Sequence, residues 1–167
     1  MLILGYTPTL AAQRSIPTPK YTWRDITSEI EHYAEHIWTT ESTFPKWFLR
    51  TRAKDFKAFK DFLLRQEKIY GLFNGSRITA CVYVDSFSPD RKGIVIHMSL
   101  IEKMQPENFI KMGNALLDRY DTVRGFVLGK NFPLRKLLKK MGFKDTPLAE
   151  NRCGCEWKLM ERKRNGF

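Results

Sequence analysis

Between residues 69 and 100 the apolar residues stop recurring at helical spacing and fall into three short runs. This change of period constrains the fold more than any other feature of the chain. The first run, 69–73, is rich in β-branched and aromatic side chains and ends at Asn74-Gly75, a pair suited to a two-residue hairpin loop because both residues tolerate positive φ. The second, 78–84, carries the chain back, and a polar stretch over 85–92 containing Pro89 leads into the third, 93–100. Three consecutive strands with short connections predict an antiparallel meander. Its apolar faces must be covered by helices from elsewhere in the chain.

Those helices are legible on either side. Upstream, Ile26, Ile30, Tyr33 or Ala34, and Ile37 recur every three to four residues, which predicts a helix opening at Trp23 with Glu29 and Glu31 near its start. A second helix is expected after Pro45, with Phe44, Trp47 or Phe48, Phe56, Phe59 and Phe62 or Leu63 inward and Lys54, Lys57, Lys60 and Arg65 outward. Downstream, Pro106 stands where a helix loses nothing by lacking an N–H, ahead of an inner stripe of Phe109, Met112, Leu116 and Tyr120. A strand follows over 122–128. Asn131 and Pro133 then start a last helix carrying Leu134, Leu137, Leu138 and Met141, and Gly142 is placed to end it in the left-handed region. Residues 143–144 and 155–160 complete the sheet.

The organisation is therefore one mixed α/β domain over residues 21–161, with a mostly antiparallel sheet of about six or seven strands and helices on both faces. An irregular lead-in over 1–20, with Pro8, Pro17 and Pro19 and one edge strand, precedes it, and a basic tail over 162–167 follows. At 167 residues, 43% hydrophobic and 13% aromatic, the chain can bury a genuine core, which excludes a wholly disordered protein. No apolar run approaches the roughly 20 residues that span a bilayer, so no membrane role is expected. An odd number of cysteines (Cys81, Cys153, Cys155) points to reduced thiols and a cytoplasmic setting. Cys153-Gly154-Cys155 reads as one strand face, without the further ligands that a metal pair requires. His32 and His36 share a helix face, but Tyr33 stands where a zinc-protease motif has Glu.

Two segments carry a resemblance. Lys111-Met112-Gly113-Asn114-Ala115-Leu116-Leu117 looks like the end of a Gln/Arg-x-x-Gly-x-Gly/Ala phosphate loop running into a Leu-rich helix, and Asn131 through Met141-Gly142-Phe143 looks like a signature of Asn, short helix, then Gly-Phe. With the order of elements over about residues 20–160, they resemble the GNAT (GCN5-related N-acetyltransferase) family. That resemblance implies acetyl-CoA as cofactor, its pantetheine arm hydrogen-bonded along a strand ending at Met98, Ser99 and Leu100. Its pyrophosphate would lie near the helix opening at Pro106, against Asn108, Lys111, Met112, Gly113 and Asn114, with Asn131 holding the strand-to-helix turn or the cofactor amide. His97 is then the candidate base. The chain departs from the family pattern at Asn108, where Gln or Arg is usual, at Lys111 in place of the first Gly, and at Leu138, where a general-acid Tyr is common.

The segment 116–131 with the Leu/Lys helix after it also resembles small GNAT-like proteins of tailed phages, some of them virion or head-assembly proteins. The second reading is accordingly a non-catalytic GNAT-like scaffold serving phage head assembly. The charge bears on this choice: 29 Lys and Arg against 18 Asp and Glu leave +11, and Lys130, Arg135, Lys136, Lys139, Lys140 and Lys144 gather around the last helix with Arg162, Lys163 and Arg164 in the tail. Such a surface is either a solvated face or a contact for nucleic acid, an acidic protein, a phage assembly partner, or the phosphates of a coenzyme A thioester.

Overall fold

The computed structural model describes residues 20–40, 55–152 and 154–164. In chain order these form strand β1 (Tyr21–Asp25), a 3-10 turn (Thr27–Glu29), helix α1 (Ile30–Thr40), α2 (Phe56–Leu64), strands β2 (Lys68–Asn74), β3 (Arg77–Ser86) and β4 (Gly93–Leu100), α3 (Pro106–Leu117), β5 (Thr122–Leu128), α4 (Phe132–Lys140), β6 (Phe143–Arg152) and β7 (Cys155–Lys163). The strands make one seven-stranded sheet in the order β1-β2-β3-β4-β5-β7-β6. All neighbours are antiparallel except β4 and β5, which are parallel.

The expected meander is β2-β3-β4, and alternation along it feeds two cores. Ile69, Phe73, Cys81 and Tyr83 pack with Ile30, Ile37, Phe59 and Leu63 of α1 and α2 on one face. On the other, Tyr70, Val82, Val84 and Ile94 pack with Leu116, Leu117, Leu138 and Met141 from α3 and α4. The mixed α/β sheet with helices on both faces is thus as expected. The predicted positions of Pro106 at the first turn of α3 and of Gly142, at φ +93°, just past α4 also hold.

Several details differ. Trp23 does not open a helix: residues 21–25 form a strand along β2, and the helical backbone begins only at Thr27. Asp25 sets this change of direction. Its carboxylate accepts from the amide (3.0 Å) and hydroxyl (2.5 Å) of Thr27 and from Lys68 Nζ (2.7 Å), while Thr27 Oγ1 accepts from the Ile69 amide at 2.9 Å. The β2–β3 loop is Gly75-Ser76 rather than Asn74-Gly75, because Asn74 still pairs with Arg77 and Gly75 takes the positive φ of +65° at the first loop position. Gly154, at φ +77°, belongs to the β6–β7 turn and not to a strand interior, and Cys153 of the expected strand face falls outside the described residues. Tyr120 lies beyond the end of α3. The expectations for Phe44, Pro45, Trp47, Phe48, Lys54 and the lead-in before residue 20 fall outside the described residues.

The end of the chain is corrected most. β7 runs through Lys163, and Arg162, read as tail, is 8% exposed. Its Nε donates to the Met141 carbonyl at 2.9 Å, capping α4, and its outer nitrogen pairs with Asp118 beyond α3. The side chain thus clasps the ends of both helices.

Candidate functional site

The parallel seam of the sheet is where the geometry is unusual. β4 and β5 pair over three positions only (Gly93 with Thr122, Ile94 with Val123, Val95 with Arg124) and then diverge, although each strand continues. Which backbone groups this leaves facing the gap follows from alternation. At the two ends of β4, the Gly93 carbonyl accepts from Phe87 and the Ile101 amide donates to Thr79, so odd-numbered residues turn their polar groups to β3. Met98 and Leu100 therefore turn theirs to the gap. On the far wall the Gly129 amide donates to Glu156 beside β7, which leaves Phe126 facing β4 across the same opening, while the Leu128 carbonyl already accepts from the Asn131 amide at 2.9 Å. The sheet thus presents peptide donors and acceptors from two strands at its centre, where they would ordinarily be consumed.

The side chains sort the site into two sides. His97 lies on the α1/α2 side, its ring 5.6 Å from that of Phe62 in an edge-on contact. Ser99, on the same side, is fully buried and its hydroxyl accepts from Tyr83 at 2.8 Å. Nearby, burial pushes the Cys81 thiol up to about 12, which keeps it protonated and inert as a nucleophile. Ile96 and Met98 point the other way, into a cavity of about 40 Å³ between the sheet and α3 that Trp23, Met112, Leu138 and Met141 help to close. Left empty, a volume of that size costs about 1 kcal/mol of stability. Its position was not legible in the sequence, because it depends on Trp23 sitting on a strand rather than on a helix.

The residues assigned to a phosphate loop are together, but as helix. Asn108, Lys111, Met112, Gly113 and Asn114 all belong to α3, whose ladder opens with the Phe109 amide donating to Gln105 at 3.0 Å. Pro106 has no N–H, so only the amides of Glu107 and Asn108 stand ahead of that ladder, with the Glu107 carboxylate already in the first turn. Met112 gives its carbonyl to Trp23 Nε1 at 2.8 Å, Asn114 faces Arg162 at 3.5 Å, and Gly113 lies where a Cβ would come within 2.4 Å of the Met141 terminal methyl. Lys111 is exposed. Asn131 caps α4, its Oδ1 accepting from the Leu134 amide at 3.2 Å. Leu138 is buried at the edge of the cavity.

A second feature lies on the outside of α4. Residues 130–144 contain six basic side chains and no acid. Arg135 and Lys139 share Asp145, at 3.0 and 3.1 Å, whereas Lys130, Lys136, Lys140 and Lys144 have no ion pair among the described residues. Phe132, at 67% exposure, stands at the head of that helix. No helix among the described residues is long and apolar enough to cross a membrane.

No family model and no curated protein matches the sequence. Solved structures do match the fold. AAC(6')-Ib in complex with ribostamycin and coenzyme A superposes with a TM-score of 0.64 at 12% identity, covering 87% of this chain and 94% of that one. A spermidine N-acetyltransferase SpeG chimera from Vibrio cholerae and hSSAT gives 0.63 at 12%, over 86% and 95%. RimL, a ribosomal L7/L12 alpha-N-protein acetyltransferase in complex with coenzyme A, gives 0.62 at 13%, over 91% and 99%. The chain has the GNAT fold of these N-acetyltransferases.

Proposed function

We propose that this chain is an acyl-CoA-dependent N-acyltransferase, and that the pantetheine arm of the acyl-CoA lies in the gap between β4 and β5. The observation that carries the reading is the early divergence of the two strands. It leaves the peptide groups of Met98, Leu100 and Phe126 facing an opening that an amide-bearing arm can enter as a further strand. Two of the fold relatives hold coenzyme A, which supports the same ligand class.

In such a transfer the amine nitrogen attacks the thioester carbonyl carbon, the carbon–sulfur bond breaks, and the amine gives up a proton. His97 emerges one residue from Met98 on the α1/α2 side, and in this reading it takes the proton of an amine that approaches from there. A gap-facing backbone N–H of β4 holds the carbonyl oxygen as it gains charge. Leu138 donates nothing, so the thiolate takes its proton from water. Positioning, rather than side-chain acid catalysis, then carries most of the rate. The helical phosphate segment leaves the coenzyme's phosphates to Lys111 and the amides of Glu107 and Asn108, a weaker grip than a glycine loop provides.

Calorimetric titration with acetyl-CoA and free coenzyme A tests this reading. Micromolar binding supports it, and the absence of heat at millimolar ligand sinks it. His97→Gln should lower kcat while leaving the dissociation constant of acetyl-CoA unchanged.

A second reading has its own observation, the four lysines around α4 that have no ion pair among the described residues. Here the GNAT fold is a non-catalytic scaffold whose basic face meets nucleic acid or an acidic partner, as in phage head assembly. Binding to nucleic acid would weaken steeply with salt, with a log–log slope of roughly −3 to −4 if the four lysines meet phosphates. A flat salt dependence, or no association with virion precursors on co-purification, counts against it.

A further inference from the structure

We infer that the cavity under α3 is an acyl-chain pocket, so that the preferred donor carries an aliphatic chain about one or two carbons longer than acetyl, which is what a volume of about 40 Å³ can take. The inference rests on the proposed seating of an acyl-CoA between β4 and β5. Ile96 and Met98 belong to both places: their backbones form the wall of the seam, and their side chains line the cavity. A carbonyl held at Met98 therefore has the cavity as its neighbour on the α3 side.

The lining is apolar throughout. Leu138 and Met141 border it from α4, and Trp23, the one side chain there with an N–H, spends that donor on the Met112 carbonyl at 2.8 Å and offers only its ring. The volume of about 40 Å³ exceeds the 10–15 Å³ that a single water needs, yet no lining side chain is free to hold a water. An apolar ligand is the occupant that such a site favours. Four of the chain's six methionines (Met98, Met104, Met112 and Met141) surround it, and their unbranched, polarizable side chains can adapt to a flexible chain as branched ones cannot.

The test is titration of the full chain with coenzyme A, acetyl-CoA and butyryl-CoA, with ¹³C-methyl methionine spectra recorded in parallel during addition of butanol. Butyryl-CoA should bind ~10-fold more tightly than acetyl-CoA, since each of its two further methylenes contributes severalfold when buried. Butanol should shift the methyls of the four lining methionines and leave Met160 unmoved. Ala80→Leu, which fills the cavity from β3, should abolish the butyryl preference and keep acetyl-CoA affinity. Met104→Trp, on the connection before α3, repeats the test if Ala80→Leu does not fold. Equal affinity for the two acyl-CoAs, with both bound, overturns the pocket and leaves the acyltransferase reading intact. If no coenzyme binds but butanol still shifts the four methyls, the acyltransferase reading fails while the apolar site stands. Neither coenzyme binding nor methyl shifts overturns both.

Discussion

Arg162→Met isolates the contribution of the clasp at the ends of α3 and α4. Methionine keeps the buried stem of the side chain and removes the guanidinium, so packing changes little and the polar contacts are lost. The Met141 carbonyl, which caps α4 through the 2.9 Å bond from Arg162 Nε, is left without a partner at a cost of about 1–3 kcal/mol. The ion pair with Asp118 adds less than its geometry suggests. The Asp118 side chain is 58% exposed and rehydrates, which limits that share to about 1 kcal/mol. The inner nitrogen of Arg162 is buried without a partner among the described residues, a penalty of about 1 kcal/mol that the substitution relieves, and this places the net loss at about 2 kcal/mol. For a domain of this size each kcal/mol lowers Tm by about 2–4 °C, so the variant should melt about 4–8 °C below the parent in calorimetry. Arg162→Lys should recover only part of this, since an ammonium does not present the planar fork that reaches both sites. A double-mutant cycle with Asp118→Asn should give a coupling of no more than about 1 kcal/mol. A melting point within 1 °C of the parent, or above it, would refute the reasoning, because desolvation of the guanidinium would then outweigh everything it holds.

Two further outcomes follow from the local geometry. Asp25 is held at about 2, below its usual 3.8, first by the bond from Lys68 and then by Thr27, so its contribution is complete above pH 4 and is lost as pH falls towards 2. With both partners nearly half exposed the effect is no more than about 1 kcal/mol, and Asp25→Asn should flatten this part of a low-salt urea-midpoint profile between pH 5 and 2. Gly113→Ala sets a helix-propensity gain of about 1 kcal/mol against a contact of 2.4 Å with the Met141 terminal methyl. That methyl ends a flexible side chain beside the cavity, so stability should stay within about 1 kcal/mol of the parent; a larger loss in urea titration would show that Met141 cannot move.

The sheet was legible in the sequence wherever period and turn chemistry agreed, as in the meander, at Pro106, and at Gly142. Trp23 was misplaced because Ile26 and Ile30 continue an apolar spacing that β1 merely precedes, and only the Asp25–Thr27–Ile69 contacts reveal where the backbone turns. Arg162 reads as tail because its neighbours are basic and exposed, while its own burial depends on the end of α4, remote in sequence. The candidate base and the strand residues could be named from position, but the seam is made of backbone. Residue identity carries little trace of where β4 and β5 part.

The departures from the family pattern at Lys111 and Leu138 are better understood together than as two separate losses. A glycine at 111 would favour an open loop, whereas lysine supports helix by about 1 kcal/mol. With Pro106 fixing the start, the helix runs through the whole segment. Helix α3 brings Phe109 and Met112 over the sheet, where Met112 meets Trp23 and both help to roof the cavity. A tyrosine at 138 would set a hydroxyl at the edge of that apolar space with no described polar side chain to satisfy it, at a cost that leucine avoids. The same helix that leaves few free amides at its start thus builds an apolar chamber beside the seam, and Leu138 keeps its edge apolar. On the proposed reading, binding energy shifts from the phosphates of the donor to its acyl chain.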